Sequence, residues 1–229
     1  MIDIDQQIST VQRRLGSRVL EAGTARVQTI AQTYPAAVED VWDACTNPER
    51  IPRWFMPVSG DLRLHGRYQL ESNAGGVVER CDPPKSFAAT WEFGGEVSWI
   101  EVRLAPLADG QTRFELEHVA HIDDTRWEQF GPGATGVGWD LALVGLTLHL
   151  SAPDVLVDPQ AGEAWAASAQ GQRFIARSSD QWRQASVAAG TDPGQATAAA
   201  ARTTAFYTGS GEVQQDVQAA DDDDTRPSA

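Results

Sequence analysis

Apolar residues near the start of the chain recur at Ile4, Ile8, Val11 and Leu15, spacings of four, three and four that predict an amphipathic helix within residues 1–22. The period then changes. After Gly23, Val27, Thr29, Ala31 and Thr33 alternate with Arg26, Gln28, Ile30 and Gln32, so a strand is expected from Arg26 to Tyr34. Pro35 ends it. Val38, Val41, Trp42 and Cys45 share one helical face before the Asn47-Pro48 break, and two short helices are expected between residues 36 and 55.

From Gly60 onward the pattern becomes short runs separated by turn residues, the grammar of an antiparallel meander. The runs are Asp61 to His65, Arg67 to Glu71, Val77 to Cys81, Phe87 to Phe93, Ser98 to Leu104 and Thr112 to His121. Gly66, Asn73 to Gly76, Asp82-Pro83-Pro84, Gly94-Gly95 and Asp109-Gly110 supply the reversals. Phe87, Ala89, Trp91 and Phe93 fall on one face of their strand, as do Phe114, Leu116 and His118 on theirs. One face of the sheet is thus expected to be aromatic and the other wet.

Beyond Gly131-Pro132-Gly133, Trp139, Ala142, Leu143, Leu146 and Leu150 recur at helical spacing up to Pro153. Further helices are expected between Pro159 and Ala189 and from Gln195 to Tyr207. From Gly211 the residues are polar and include Asp221 to Asp224, a composition without the apolar area to offset ordering entropy. The organisation read from these patterns is an N-terminal helix (1–22), a main domain (26–152), a helical extension (153–209) and a disordered acidic tail (210–229).

Charge narrows the function. The formal net charge of −14 removes broad attraction to nucleic acid or anionic lipid, which needs clustered Lys and Arg. The stretch from Gly211 carries six acidic residues and one Arg, which leaves −9 for the rest. The first ten residues have acidic side chains where a signal peptide would be basic, and no apolar run reaches membrane-spanning length, so a cytoplasmic protein is expected. Cys45 and Cys81 are expected to be reduced thiols.

Catalytic motifs are missing from the sequence. No GxSxG elbow, HExxH or paired CxxC occurs, and the glycine-rich NAGGVV segment lacks the Lys-Ser/Thr of a phosphate-binding loop. His118 and His121 stand three apart on a strand, which points them to opposite faces and argues against a shared metal. No cofactor is expected. Asp123 and Asp124 read as a helix start, where acidic groups favour the helix dipole.

Strand, two short helices, meander and long helix in that order describe an α+β helix-grip architecture. Five strings carry a resemblance to a known family: Glu39 to Leu62 (EDVWDACTNPERIPRWFMPVSGDL), Gly66 to Gly76 (GRYQLESNAGG), Cys81 to Gly95 (CDPPKSFAATWEFGG), Phe114 to His118 (FELEH) and Gly131 to Leu150 (GPGATGVGWDLALVGLTLHL). In these the chain resembles the bacterial branch of the heat-shock protein 90 ATPase activator homologue family, within the START-like (SRPBCC) superfamily. His65 and Ser72 stand where the resemblance leads one to expect glycine. It implies a sheet curled around the long helix and a hydrophobic ligand cavity, with lipid-binding, cyclase-like and chaperone-associated members.

Such a cavity needs large apolar side chains and few polar groups. Trp54, Tyr68, Trp91, Phe93, Phe114, Trp139, Leu143 and Leu146 supply the first, and Tyr68 and His118 supply polar tips that require partners from protein, water or ligand. The same side chains could also simply fill a core. The leading expectation is binding of a small hydrophobic or amphipathic molecule. The alternatives are a chaperone-regulator-like module with a protein partner and a cyclase-like enzyme using Tyr68 or His118 as an acid/base.

Overall fold

The computed structural model describes residues 3–152 and 159–210. Helix α1 (Ile4–Thr10) leads into strands β1 (Gln12–Leu20) and β2 (Gly23–Tyr34). Helix α2 (Val38–Thr46) and a 3₁₀ turn (Ile51–Arg53) follow. The meander comprises β3 (Val58–Gly60), β4 (Arg67–Leu70), β5 (Gly75–Asp82), β6 (Ser86–Phe93), β7 (Glu96–Pro106) and β8 (Thr112–Ala120). Five helices close the described chain: α3 (Asp124–Phe130), α4 (Gly133–Ser151), α5 (Pro159–Ala167), α6 (Ala169–Ala188) and α7 (Pro193–Thr208). All eight strands form one antiparallel sheet in the order β1-β2-β8-β7-β6-β5-β4-β3, which curves around α4. This is the helix-grip architecture expected from the pattern.

Two elements differ from expectation. The N-terminal helix stops at Thr10, and Val11 and Leu15 belong to an extended segment. Helical spacing over so short a window also fits alternation, and the nine-residue ladder of β1 against β2 settles the choice by satisfying backbone groups that an isolated helix end would leave open. Asp61 to His65 is a loop rather than a strand. The Asp61 carboxylate accepts from the backbone and side chain of Arg63 and folds the segment locally, while the strand role passes to Val58–Gly60. His65 and Ser72 both sit at positive φ (65° and 54°), the backbone region that favours glycine. The expected acidic tail lies outside the described residues from position 211.

Register assigns the faces. Trp91 pairs with Ser98, Ala89 with Ile100 and Phe87 with Val102, while Ile100 faces His118 and Leu104 faces Phe114. These side chains share the concave side. Gln28 and Gln32 lie there too and are buried. Gln28 donates to the Pro132 carbonyl, and Gln32 joins a ring with Gln7 and Thr147 that ties α1, β2 and α4 together. The convex side carries ion pairs such as Arg14–Glu115 and Arg80–Glu101.

Helix α4 is apolar nearly all round, as a helix enclosed by protein should be. Its one acidic residue, Asp140, is 1% exposed and accepts both Arg13 Nε (2.9 Å) and Nη2 (2.6 Å). The same carboxylate accepts Ser178 Oγ (2.7 Å) and Trp182 Nε1 (2.9 Å) from α6. Asp140 therefore locks β1, α4 and α6 at one point. Gly136, one turn earlier, lies flat against the Trp182 indole, where a Cβ would overlap the ring. Through these contacts the helical extension seats directly on the gripped helix.

Candidate functional site

The concave side holds two partly open chambers that share three aromatic residues. The inner chamber, about 510 Å³, is floored by Val78, Phe87, Ala89, Ile100, Val102 and Leu116 of the sheet. Trp42 and Cys45 of α2 and Trp54 and Phe55 after the 3₁₀ turn form its roof, with Leu62 and Leu64 at the rim. Its volume falls in the range of small-molecule sites, and its walls are almost wholly apolar. Burial pushes the Cys45 thiol up to about 12, so it remains a neutral part of that wall.

Local sequence explains the roof. Val38, Val41, Trp42 and Cys45 form the apolar face of α2, so Trp42 reaches Phe87 edge-on at 6.1 Å. The Trp54 indole donates to the Ala44 carbonyl at 2.9 Å. Gly145 of α4 lies against the Trp54 carbonyl, where a Cβ would collide, so the roof sits directly on the gripped helix. The Tyr68 hydroxyl is committed to the Thr90 carbonyl (2.7 Å), and burial, then the nearby Glu92 charge, raises its pKa.

The outer chamber, about 380 Å³, lies across Phe55, Trp91 and Trp139. Trp139 stacks with Phe55 at 6.2 Å and leans on Trp91 at 5.1 Å, so these rings separate the chambers. Beyond them are Ser98, His118, Thr135 and Tyr207, with Arg126 and Glu96 paired with one another.

His118 fixes one ring of that partition. Trp139 Nε1 can only donate, so His118 Nδ1 must accept at 3.2 Å and the proton resides on Nε2. Nε2–H then donates to Ser98 Oγ (2.8 Å), which donates to the Trp91 carbonyl (3.1 Å). Burial pushes the imidazole down to about 4. The neutral ring is the only form that accepts from Trp139.

A pH dependence follows. The unfolded imidazole titrates near 6.5 and takes up its proton first as pH falls. Stability contributed by the neutral ring is thus complete above about 6.5 and declines towards about 4, by roughly 3 kcal/mol. Urea denaturation at pH 7 and 4.5 should show a smaller acid loss for His118→Gln than for the native chain. Equal losses would remove this role.

The sequence-selected residues divide. Trp54, Tyr68, Trp91, Phe114 and Trp139 line the inner chamber, and His118 lines the outer one. Leu143 and Leu146 belong to the same buried core cluster as Tyr34 and Val41 and line neither chamber. Phe93 is 58% exposed at the end of β6, on the rim of the outer chamber, where the strand has run past its cover. Sequence reasoning did not select Trp42, Phe55, Phe87, Thr135 or Tyr207. The alternation of β6 carried the signal for Phe87, and the apolar face of α2 carried it for Trp42.

A family model described as Activator of Hsp90 ATPase homolog 1-like protein matches residues 35–151. The solution NMR structure of CalU16 from Micromonospora echinospora is 35% identical, with a TM-score of 0.64 over 79% of this chain and 97% of that one. A crystal structure of the same protein is 40% identical, with a TM-score of 0.55 over 69% and 96%. EF2215 from Enterococcus faecalis, described as a conserved protein of unknown function, is 17% identical with a TM-score of 0.50 over 71% and 91%, a likeness of fold alone. No curated protein matches the sequence.

Proposed function

This chain belongs to the Activator of Hsp90 ATPase homolog 1-like protein family, and on that premise we propose that it binds a small hydrophobic or amphipathic molecule in the inner chamber. The observation that carries the reading is the apolar space of about 510 Å³ between the α2 roof and the sheet. An apolar molecule entering it gives up contact with water wherever the walls cover it, a gain of about 25 cal/mol per Å² before association costs. Trp54, Trp91, Phe114 and Trp139 supply flat contact area, and Trp42 and Phe87 close the far side.

The reading is one of binding rather than proton transfer. Tyr68 already donates to a backbone carbonyl, and both nitrogens of His118 are engaged by Trp139 and Ser98. Neither presents a free donor–acceptor pair to a substrate.

Pyrene is a suitable probe because tryptophan emission overlaps its absorption, and Trp42, Trp54, Trp91 and Trp139 all border the inner chamber. Titrating the full chain with pyrene should give saturable energy transfer with one molecule per chain. A linear, unsaturable response refutes the reading.

A further inference from the structure

We propose that the two chambers form a single bipartite site, which takes a molecule with a ring-bearing apolar body and an uncharged hydrogen-bonding end. This rests on the binding reading above and deepens it. The body would lie in the inner chamber and the polar end would pass the aromatic partition into the outer one.

Three observations carry this. First, the chambers are continuous in their walls, since Phe55, Trp91 and Trp139 border both. Second, the partition is unequally fastened. Trp139 is held by His118, whereas the Trp91 indole nitrogen makes no hydrogen bond among the described residues and the Phe55 ring has only apolar packing and ring contacts to give up. A ligand can therefore displace Trp91 and Phe55 while Trp139 stays in place.

Third, the outer wall offers hydrogen-bonding groups without an uncompensated charge. The Thr135 hydroxyl makes no side-chain hydrogen bond among the described residues. Tyr207 Oη donates to the Ala134 carbonyl (2.7 Å) and, with the Gly138 backbone amide on one lone pair, keeps the other as an acceptor. Arg126 and Glu96 neutralise one another, with Nη1 at 3.1 and 2.9 Å from the two carboxylate oxygens. A neutral hydroxyl or amide fits this lining better than a carboxylate or an ammonium group, each of which would meet a like charge in that pair. Tyr207 belongs to α7, so the helical extension completes the second half of the site.

Matched probes test the inference. 1-Butylpyrene and 1-pyrenebutanol differ by one terminal hydroxyl, and pyrene lacks the arm altogether. If the arm enters the outer chamber, 1-pyrenebutanol binds the full chain more tightly than 1-butylpyrene, by about threefold to tenfold, the worth of one net hydrogen bond. If the arm stays in the apolar chamber, the order reverses because a hydroxyl is buried without a partner.

Thr135→Trp, which fills only the outer chamber, should abolish the preference and leave pyrene affinity unchanged. Tyr207→Phe, which removes the acceptor but keeps the ring, should reduce the preference by itself. Equal affinities, a preference for 1-butylpyrene, or a preference that survives Thr135→Trp would overturn the bipartite site while the inner-chamber reading stands. Failure of all three probes to bind would overturn both.

Discussion

Replacing Asp140 with alanine is expected to destabilise the fold by about 3–5 kcal/mol, the usual cost of removing one partner from a buried ion pair. Arg13 and Asp140 have side chains only 3% and 1% exposed, so the orphaned guanidinium could not recover its lost partner from bulk water. Ser178 and Trp182 would lose their acceptor at the same time. Domains are typically stable by only about 5–15 kcal/mol, so a large part of the total is at stake. The urea midpoint followed by far-ultraviolet circular dichroism should fall sharply for Asp140→Ala and less for Asp140→Asn, which keeps an acceptor oxygen. A loss below about 1 kcal/mol for Asp140→Ala would show that the lock is not structural.

The second large effect concerns the chamber. Ala89 lies on the floor between Val78 and Ile100, 3% exposed, with its side chain on the concave face. Ala89→Phe projects a ring into the space proposed for the ligand. Pyrene affinity should fall by about a hundredfold or more, equivalent to roughly 2.7 kcal/mol. Stability should change by less than about 1 kcal/mol, because empty volume accepts the ring, whereas a filled core would be overpacked at a cost of about 1–3 kcal/mol. Measuring both quantities on one variant separates an open chamber from a closed core.

Much of the fold was legible because the meander announces itself twice, in alternation and in turn residues. The Phe87 to Phe93 run predicted both its strand and its face, and the helical spacing from Trp139 to Leu150 identified the gripped helix. The failures were local. Val11 and Leu15 satisfy helical and extended periods alike, and only pairing with residues far along the chain decides between them. Asp61 to His65 alternates like a strand but is folded by its own Asp61 to Arg63 contacts, an outcome periodicity cannot register.

The site was less legible than the fold. Pattern reading put Trp91, Phe114 and Trp139 on the concave side, but could not tell a chamber wall from packed core, and so treated Leu143 and Leu146 alike with them. The His118 partners are equally hidden: Ser98 and Trp139 lie 20 and 21 residues away. Asp140 did leave a trace, as a lone acid inside the apolar run Trp139 to Leu143. A charge in such a setting demands a partner, but nothing in the sequence names Arg13, 127 positions earlier. Tyr207 gave no signal, since its part in the outer chamber depends on how α7 seats beside α4.

Native mass spectrometry of the full chain incubated with pyrene, run beside Ala89→Phe, tests the central claim most directly. The account predicts one pyrene per native chain and none on the variant. No adduct on the native chain, or equal adducts on both proteins, would contradict it.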